Sequence, residues 1–125
     1  MDNITQSNIE FFVAEDTDVQ KLEEKINIFI QQNKLLNVST VKVSAEGDVV
    51  SFLLRFNPKE QRSDRSKVFV RTFVYDDLET VTGFTRRFIR DEKLSTAYVD
   101  DFSFVKREND VVGFLTYTQP DRSRK

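Results

Sequence analysis

Residues 48–53 read Asp48-Val49-Val50-Ser51-Phe52-Leu53, and residues 110–115 read Asp110-Val111-Val112-Gly113-Phe114-Leu115. The strings lie 62 residues apart in a chain of 125, and each is followed at the same distance by a proline, Pro58 or Pro120. The likeness continues towards the N-terminal side of each string. Phe12-Val13 before Glu15-Asp16 matches Phe73-Val74 before Asp76-Asp77. Phe29-Ile30 and Lys34-Leu35 match Phe88-Ile89 and Lys93-Leu94. The offset drifts from 61 to 59 to 62, which calls for small insertions in the connections, where loops tolerate them. Self-similarity at a period this long marks a repeated supersecondary unit.

Each unit reads as strand, helix, strand, strand. Phe- and Val-rich runs at 9–14 and 68–75 are the first strands. An acidic pair then opens a helix: Thr17 with Gln20 fits a capping box, and Asp16 or Asp77 can cap backbone N–H groups. Val19, Leu22, Ile26, Phe29 and Ile30 share one face of the first helix, and Leu78, Val81, Phe84 and Phe88 share one face of the second. Hairpins follow, over 38–56 with a turn at 45–48 and over 99–118 with a turn at 107–110. Gly47 and Asn109 supply the residues that left-handed turn positions favour.

The expected fold is therefore α+β: an internal duplication of a βαββ unit, with a central, mostly antiparallel sheet and one main helix per unit. A pseudo-twofold relates the units, as in a homodimer. The chain forms one domain over 1–125. Unit one spans about 8–58, a linker 59–67, unit two about 68–120 and a basic tail 121–125. The strand at 68–75 is apolar on both faces, which suits a doubly covered position.

The chain has no Cys and no His. Disulfides, thiolate metal sites and Ser–His or Cys–His nucleophile pairs are excluded. Three glycines exclude a phosphate loop or a dinucleotide fingerprint. Gly47 reads as a turn residue, Gly113 as a close backbone approach, and Gly83 as a helix interruption that packs against the sheet. The pairs Glu15-Asp16, Asp76-Asp77 and Asp100-Asp101 could hold Mg²⁺, but the first two fall at helix starts where capping explains them. No enzyme, cofactor or metal is expected. No apolar run approaches the ~20 residues of a membrane span and the N-terminus is polar, so the expected location is the cytoplasm.

The net charge of −2 hides an asymmetry: residues 1–61 carry 6 Lys/Arg against 10 Asp/Glu, and residues 62–125 carry 13 against 11. Arg86, Arg90 and Lys93 recur at i, i+4, i+7 with Arg87 beside them, while the outer face of the first helix is mixed, with Glu23, Glu24 and Lys25. Each unit also ends in Pro and a basic segment: Lys59, Arg62, Arg65 and Lys67 after Pro58, and Arg122, Arg124 and Lys125 after Pro120. A solvated helix face and polar linkers account for these equally. Read functionally, Arg62, Arg65, Lys67, Arg86, Arg87, Arg90, Lys93, Arg122, Arg124 and Lys125 are candidate contacts to DNA phosphates.

The run from Phe11 to Phe56, with its helix around Leu22–Ile30, resembles the small strand–helix–strand–strand proteins found singly in Gram-positive sporulation and phage gene sets. The duplicated size and two-ended layout are also similar to the double-stranded-DNA-binding accessory protein of Gram-positive conjugation (type IV secretion) systems. That likeness implies an internal dimer with a winged helix-turn-helix at each end, which needs further helical turns at 33–36 and 93–97. The expectation is a non-enzymatic accessory protein of a mobile element, plasmid or phage. It binds double-stranded DNA with little sequence preference, as a monomer acting as an internal dimer, beside other proteins of the same element. The alternative is a protein–protein adaptor or inhibitor without nucleic-acid binding, which the pI of about 5.2 favours.

Overall fold

The computed structural model describes residues 9–60, 67–95 and 98–119. The order is β1 (Glu10–Asp16), α1 (Val19–Gln32), β2 (Val38–Glu46), β3 (Val49–Phe56), β4 (Lys67–Tyr75), α2 (Leu78–Asp91), β5 (Val99–Lys106) and β6 (Val111–Gln119). The duplication of a βαββ unit is thus present, and the class is α+β. The strands divide into two antiparallel sheets of three, ordered β1-β3-β2 and β4-β6-β5, where one central sheet was expected.

The helix ends follow local chemistry. Asp18 caps α1, accepting from the N–H groups of Gln20 and Lys21 at 3.0 and 3.3 Å. The expected Thr17–Gln20 box does not form, because Asp18 supplies a stronger, charged acceptor one residue later. Asp77 caps α2 as expected, accepting from Thr80 N–H at 2.8 Å. Both helices end alike. Lys34 and Lys93 take left-handed φ values of 51° and 56°, and the next residues, Leu35 and Leu94, donate back to Ile30 and Ile89. This Schellman geometry is why Lys-Leu recurs after each helix. In the turns, Gly47 has φ +62°, whereas Asn109 is not left-handed. There the loop is four residues long and held by Arg107, whose guanidinium grips Asp110 through two bonds of 2.8 Å. Arg107 also donates to the carbonyls of Thr17 and Asp48 at 3.0 Å, tying the second hairpin to the first unit.

The main core lies between the sheets. Val50, Phe52 and Leu54 of β3 and Leu22, Ile26 and Ile30 of α1 pack against Val68, Val70, Val112 and Phe114 of the second sheet. The rings of Phe52 and Phe114 lie 5.0 Å apart. A smaller core forms on the opposite face of the second sheet, where α2 buries Val81 with Phe73, Val111 and Leu115. The second sheet is therefore covered on both faces. On α2 the buried face runs through Val81 and Thr85, with Phe88 half-buried. Leu78 and Phe84 turn outward, correcting their expected place in the core, and Phe84 stacks on Tyr75 with centroids 4.4 Å apart.

Strand pairing corrects the repeat. Ala14 pairs with Phe52 beneath α1, and Phe73 pairs with Gly113 beneath α2. Structurally Phe52 corresponds to Gly113 and Leu54 to Leu115, an offset of 61 and not the 62 of the matched strings. A slip of one residue turns every side chain to the other face. Phe114 consequently points away from its own helix, into the core shared with unit one.

The sheets meet where β2 runs beside β5, with Thr40 N–H and hydroxyl both donating to Asp101 at 3.2 Å. On the far side α1 closes the gap through its flank. Asn27 donates to Val70 C=O and accepts from Val70 N–H, both at 2.8 Å. Gln31 donates to Val68 C=O, and the Glu23 carboxylate accepts from Thr72 N–H at 2.7 Å. Glu23 was expected on a mixed outer face; it belongs to this seam. α2 has no comparable seam with β1, so the twofold does not extend to the helix surroundings.

Two expectations test this architecture. Asn27→Ala leaves both polar groups of Val70 without partners and is expected to cost about 2–3 kcal/mol in urea unfolding. A loss under ~0.5 kcal/mol would mean that water replaces the amide. At Gly113 an added Cβ would sit 2.6 Å from Val81 Cγ1 and 3.0 Å from the Phe102 ring. Gly113→Ala is expected to cost ~1–3 kcal/mol through overpacking, and an unchanged denaturation midpoint would contradict the seating of α2 on that strand.

Candidate nucleic-acid interface

Five of the ten candidate cations, Arg62, Arg65, Arg122, Arg124 and Lys125, lie outside the described residues. The described five gather around the second unit. Lys67 is exposed at the start of β4, directly opposite Gln119 at the end of β6. The two basic segments thus join the fold at neighbouring points. α2 runs back along β4, so its last turn returns towards this end of the sheet. There Phe88 meets Tyr117 with centroids 5.3 Å apart.

Arg86, Arg87 and Arg90 are all exposed on α2. Lys93 does not extend their row: the helix stops at Asp91, and Lys93 occupies the left-handed turn beyond it. Arg87 and Arg90 line a shallow surface groove of about 340 Å³ with Thr80, Gly83 and Phe84. Arg86 is not among its walls. Gly83 has open space where a Cβ would be, so it lies on the exposed side and not against the sheet. A second groove of about 250 Å³ begins on the other side of Arg87 and includes Arg71 and Asp91.

Arg71 was not among the candidates. It is the one cation in the interior of an otherwise apolar strand, and nothing in the spacing marks it. Its guanidinium lies 4.9 Å from the centroid of Phe88 and 5.6 Å from that of Phe73. Burial holds the Tyr117 phenol above its ordinary pKa, and Arg71 pulls the other way. Arg71 adds a fixed positive charge between α2 and the strand ends, while Asp91 moderates the field.

The further helical turns required by a helix-turn-helix are absent from residues 33–36, which carry a turn and a single bridge. Residues 93–97 fall partly outside the described residues. Comparison with protein families, curated proteins and solved structures finds no match for this chain.

The paired carboxylates have local partners. Asp16 accepts from Asp18 N–H and pairs with Lys25 at 3.0 Å, and these hold its pKa below the usual carboxylate range. Thr80 does the same for Asp77. Glu15 accepts from the Ser51 hydroxyl at 3.0 Å. Among the described residues no three acidic side chains converge as metal ligands would. Asp100 differs: partial burial pushes its pKa up, against the opposing bond from the Thr118 hydroxyl at 3.1 Å. A carboxyl whose folded pKa is raised costs stability while ionised, and the cost fades as pH falls through that pKa. Asp100→Asn is therefore expected to raise Tm near pH 7, with the advantage shrinking as pH approaches the carboxylate range. A lower Tm at pH 7 would show that the ionised form stabilises the fold.

Proposed function

We propose that this chain is a non-enzymatic protein that binds duplex DNA, with little sequence preference, through the cationic end of its second unit. The observation that carries the reading is that Arg87 and Arg90 line one groove and Arg71 and Arg87 the next, on the unit where Lys67 and Gln119 stand opposite each other at the attachment points of both basic segments. Phosphate contacts need no built pocket, only cations held on one surface, and exposed arginines on a helix packed to a doubly covered sheet meet that need. The absence of His and Cys from the whole chain supports a binding role over catalysis. The resemblance of residues 11–56 to phage-type units, and of the duplicated layout to the conjugation accessory protein, supports a place among accessory proteins of Gram-positive phages or plasmids, acting in the cytoplasm beside other proteins of the element. No helix among the described residues is long and apolar enough to cross a membrane. With a net charge of −2, the expected binding is weak, in the ~10⁻⁴–10⁻⁶ M range of non-specific complexes at physiological salt.

The test is fluorescence anisotropy with random duplexes at two salt concentrations. Affinity should fall steeply with salt. Replacing Lys67, Arg87 and Arg90 together with Gln should weaken binding to all sequences alike. It should also flatten the salt slope by about 0.9 for each phosphate that is no longer neutralised. Unchanged binding by the triple variant would remove this surface from the interface. No binding by the parent at low salt would leave the protein–protein adaptor as the surviving reading.

A further inference from the structure

The fold has four edge strands, and three of them are closed. β2 and β5 lie beside each other and both carry a bulge, at Val41 and at Asp100. The edge of β4 is held by Asn27, Gln31 and Glu23. Only β1 is open. Lys25 reaches Glu15 C=O at 2.9 Å, which shows that the odd-numbered residues of β1 turn their backbone outward. Among the described residues the outward groups of Phe11 and Val13 have no partner. Residues 9–14 contain no Lys, no Pro and no bulge, and the strand's charges stand towards its ends, at Glu10, Glu15 and Asp16.

Apolar side chains surround this edge on two layers. Phe11 and Val13 are 59% and 58% exposed on the outer face of the sheet. Ile28 of α1 is 55% exposed on the inner side, along a groove of about 490 Å³ whose walls include Phe12, Val13 and Phe29.

We propose that β1 pairs antiparallel with β1 of a second copy of this chain, making one continuous sheet of six strands across a twofold axis. The occupant follows from self-complementarity. With Phe11 opposite Val13 of the other copy, Phe12 lies on the axis, Glu10 faces Ala14, and Glu15 faces Ile9. Phe11 then meets Val13, and no carboxylate faces another. The neighbouring register, with Val13 opposite itself, sets Glu10 against Asp16 and Phe11 against Glu15, which like-charge repulsion disfavours. The same axis brings the two α1 helices side by side, so that Ile28 meets its own mate. One twofold thus sets Phe11 against Val13 across the strands, brings Ile28 to its mate and pairs the free edge, as an isologous interface requires. This proposal is independent of DNA binding and replaces the monomer expected from the sequence.

Sedimentation velocity across a wide concentration range should show a dimer. Val13→Pro removes an outward N–H while sparing the bonds to β3, so it should give a monomer with an unchanged circular dichroism spectrum. Ile28→Glu should weaken the dimer by at least about tenfold, or 1.4 kcal/mol. Because the chain has no cysteine, Phe11→Cys and Val13→Cys can be mixed and oxidised. The mixture should form the disulfide-linked pair, since hydrogen-bonded partners ~5.5 Å apart at Cα lie within disulfide range. A parent monomeric at every concentration overturns the proposal, and so does a dimer that survives both Val13→Pro and Ile28→Glu. Efficient self-linking of Val13→Cys, with none in the mixture, overturns the register.

Discussion

A strand at the end of a sheet leaves every second N–H and C=O unpaired, and burying those groups without partners is costly. β4 faces this problem acutely, because both of its faces are covered by apolar cores. Its free edge is satisfied by side chains, through Glu23, Asn27 and Gln31 at successive i, i+4 positions of α1, meeting Thr72, Val70 and Val68 at alternate positions of the strand. The spacing works because four helical residues rise ~6.0 Å and two strand residues ~6.8 Å. Asn27 bonds both polar groups of Val70, as a neighbouring strand would. With that seam in place α1 can sit between β1 and β4, and the two sheets can enclose one core.

Two copies of one unit need not be used alike, and the difference here traces to a single position in the second hairpin. Beneath α1 stands Phe52; beneath α2 stands Gly113, with Val81 where a side chain would be. A bare backbone lets α2 lie close over β6 and complete its own small core. The Phe52 ring instead fills the space between the sheets and meets Phe114. Unit one therefore opens its helix side to receive unit two, and unit two closes its own.

How much of this could be read in advance depends on where the information lies. The Phe and Val runs, the face of α1 and the Asp77 cap are written in side-chain periodicity and residue type, so the βαββ order and its duplication were legible, whereas Leu78 and Phe84 fall outside the buried face of α2. The one-residue slip was not. Asp-Val-Val-x-Phe-Leu occurs in both hairpins, and string matching rewards the letters, whereas the sheet rewards the face. The seam on β4 was equally hidden: Glu, Asn and Gln on a helix look like a solvated surface when their partners are backbone groups, which carry no sequence signal. Of the candidate interface, the α2 arginines were legible as a row. Their grouping with Arg71 and Lys67 was not, since it depends on α2 folding back along β4.

The seam also accounts for part of the uneven charge of the two halves. By the helix caps, Asn27 and Gln31 correspond to Arg86 and Arg90, 59 residues on. On α1 Asn27 must both donate to and accept from Val70, while Gln31 donates to Val68 C=O; a guanidinium has no acceptor and could not replace Asn27 there. On α2 the same positions face solvent, no strand edge depends on them, and cations are tolerated. A duplicated unit whose first copy closes the fold leaves its second copy free to vary on that flank, and there the arginines of the candidate interface accumulate. Among the described residues the corresponding gap on the first unit is the outer edge of β1, which α1 touches only through Lys25 at Glu15 C=O. The asymmetry that builds the core thus leaves both surfaces that the two proposals use.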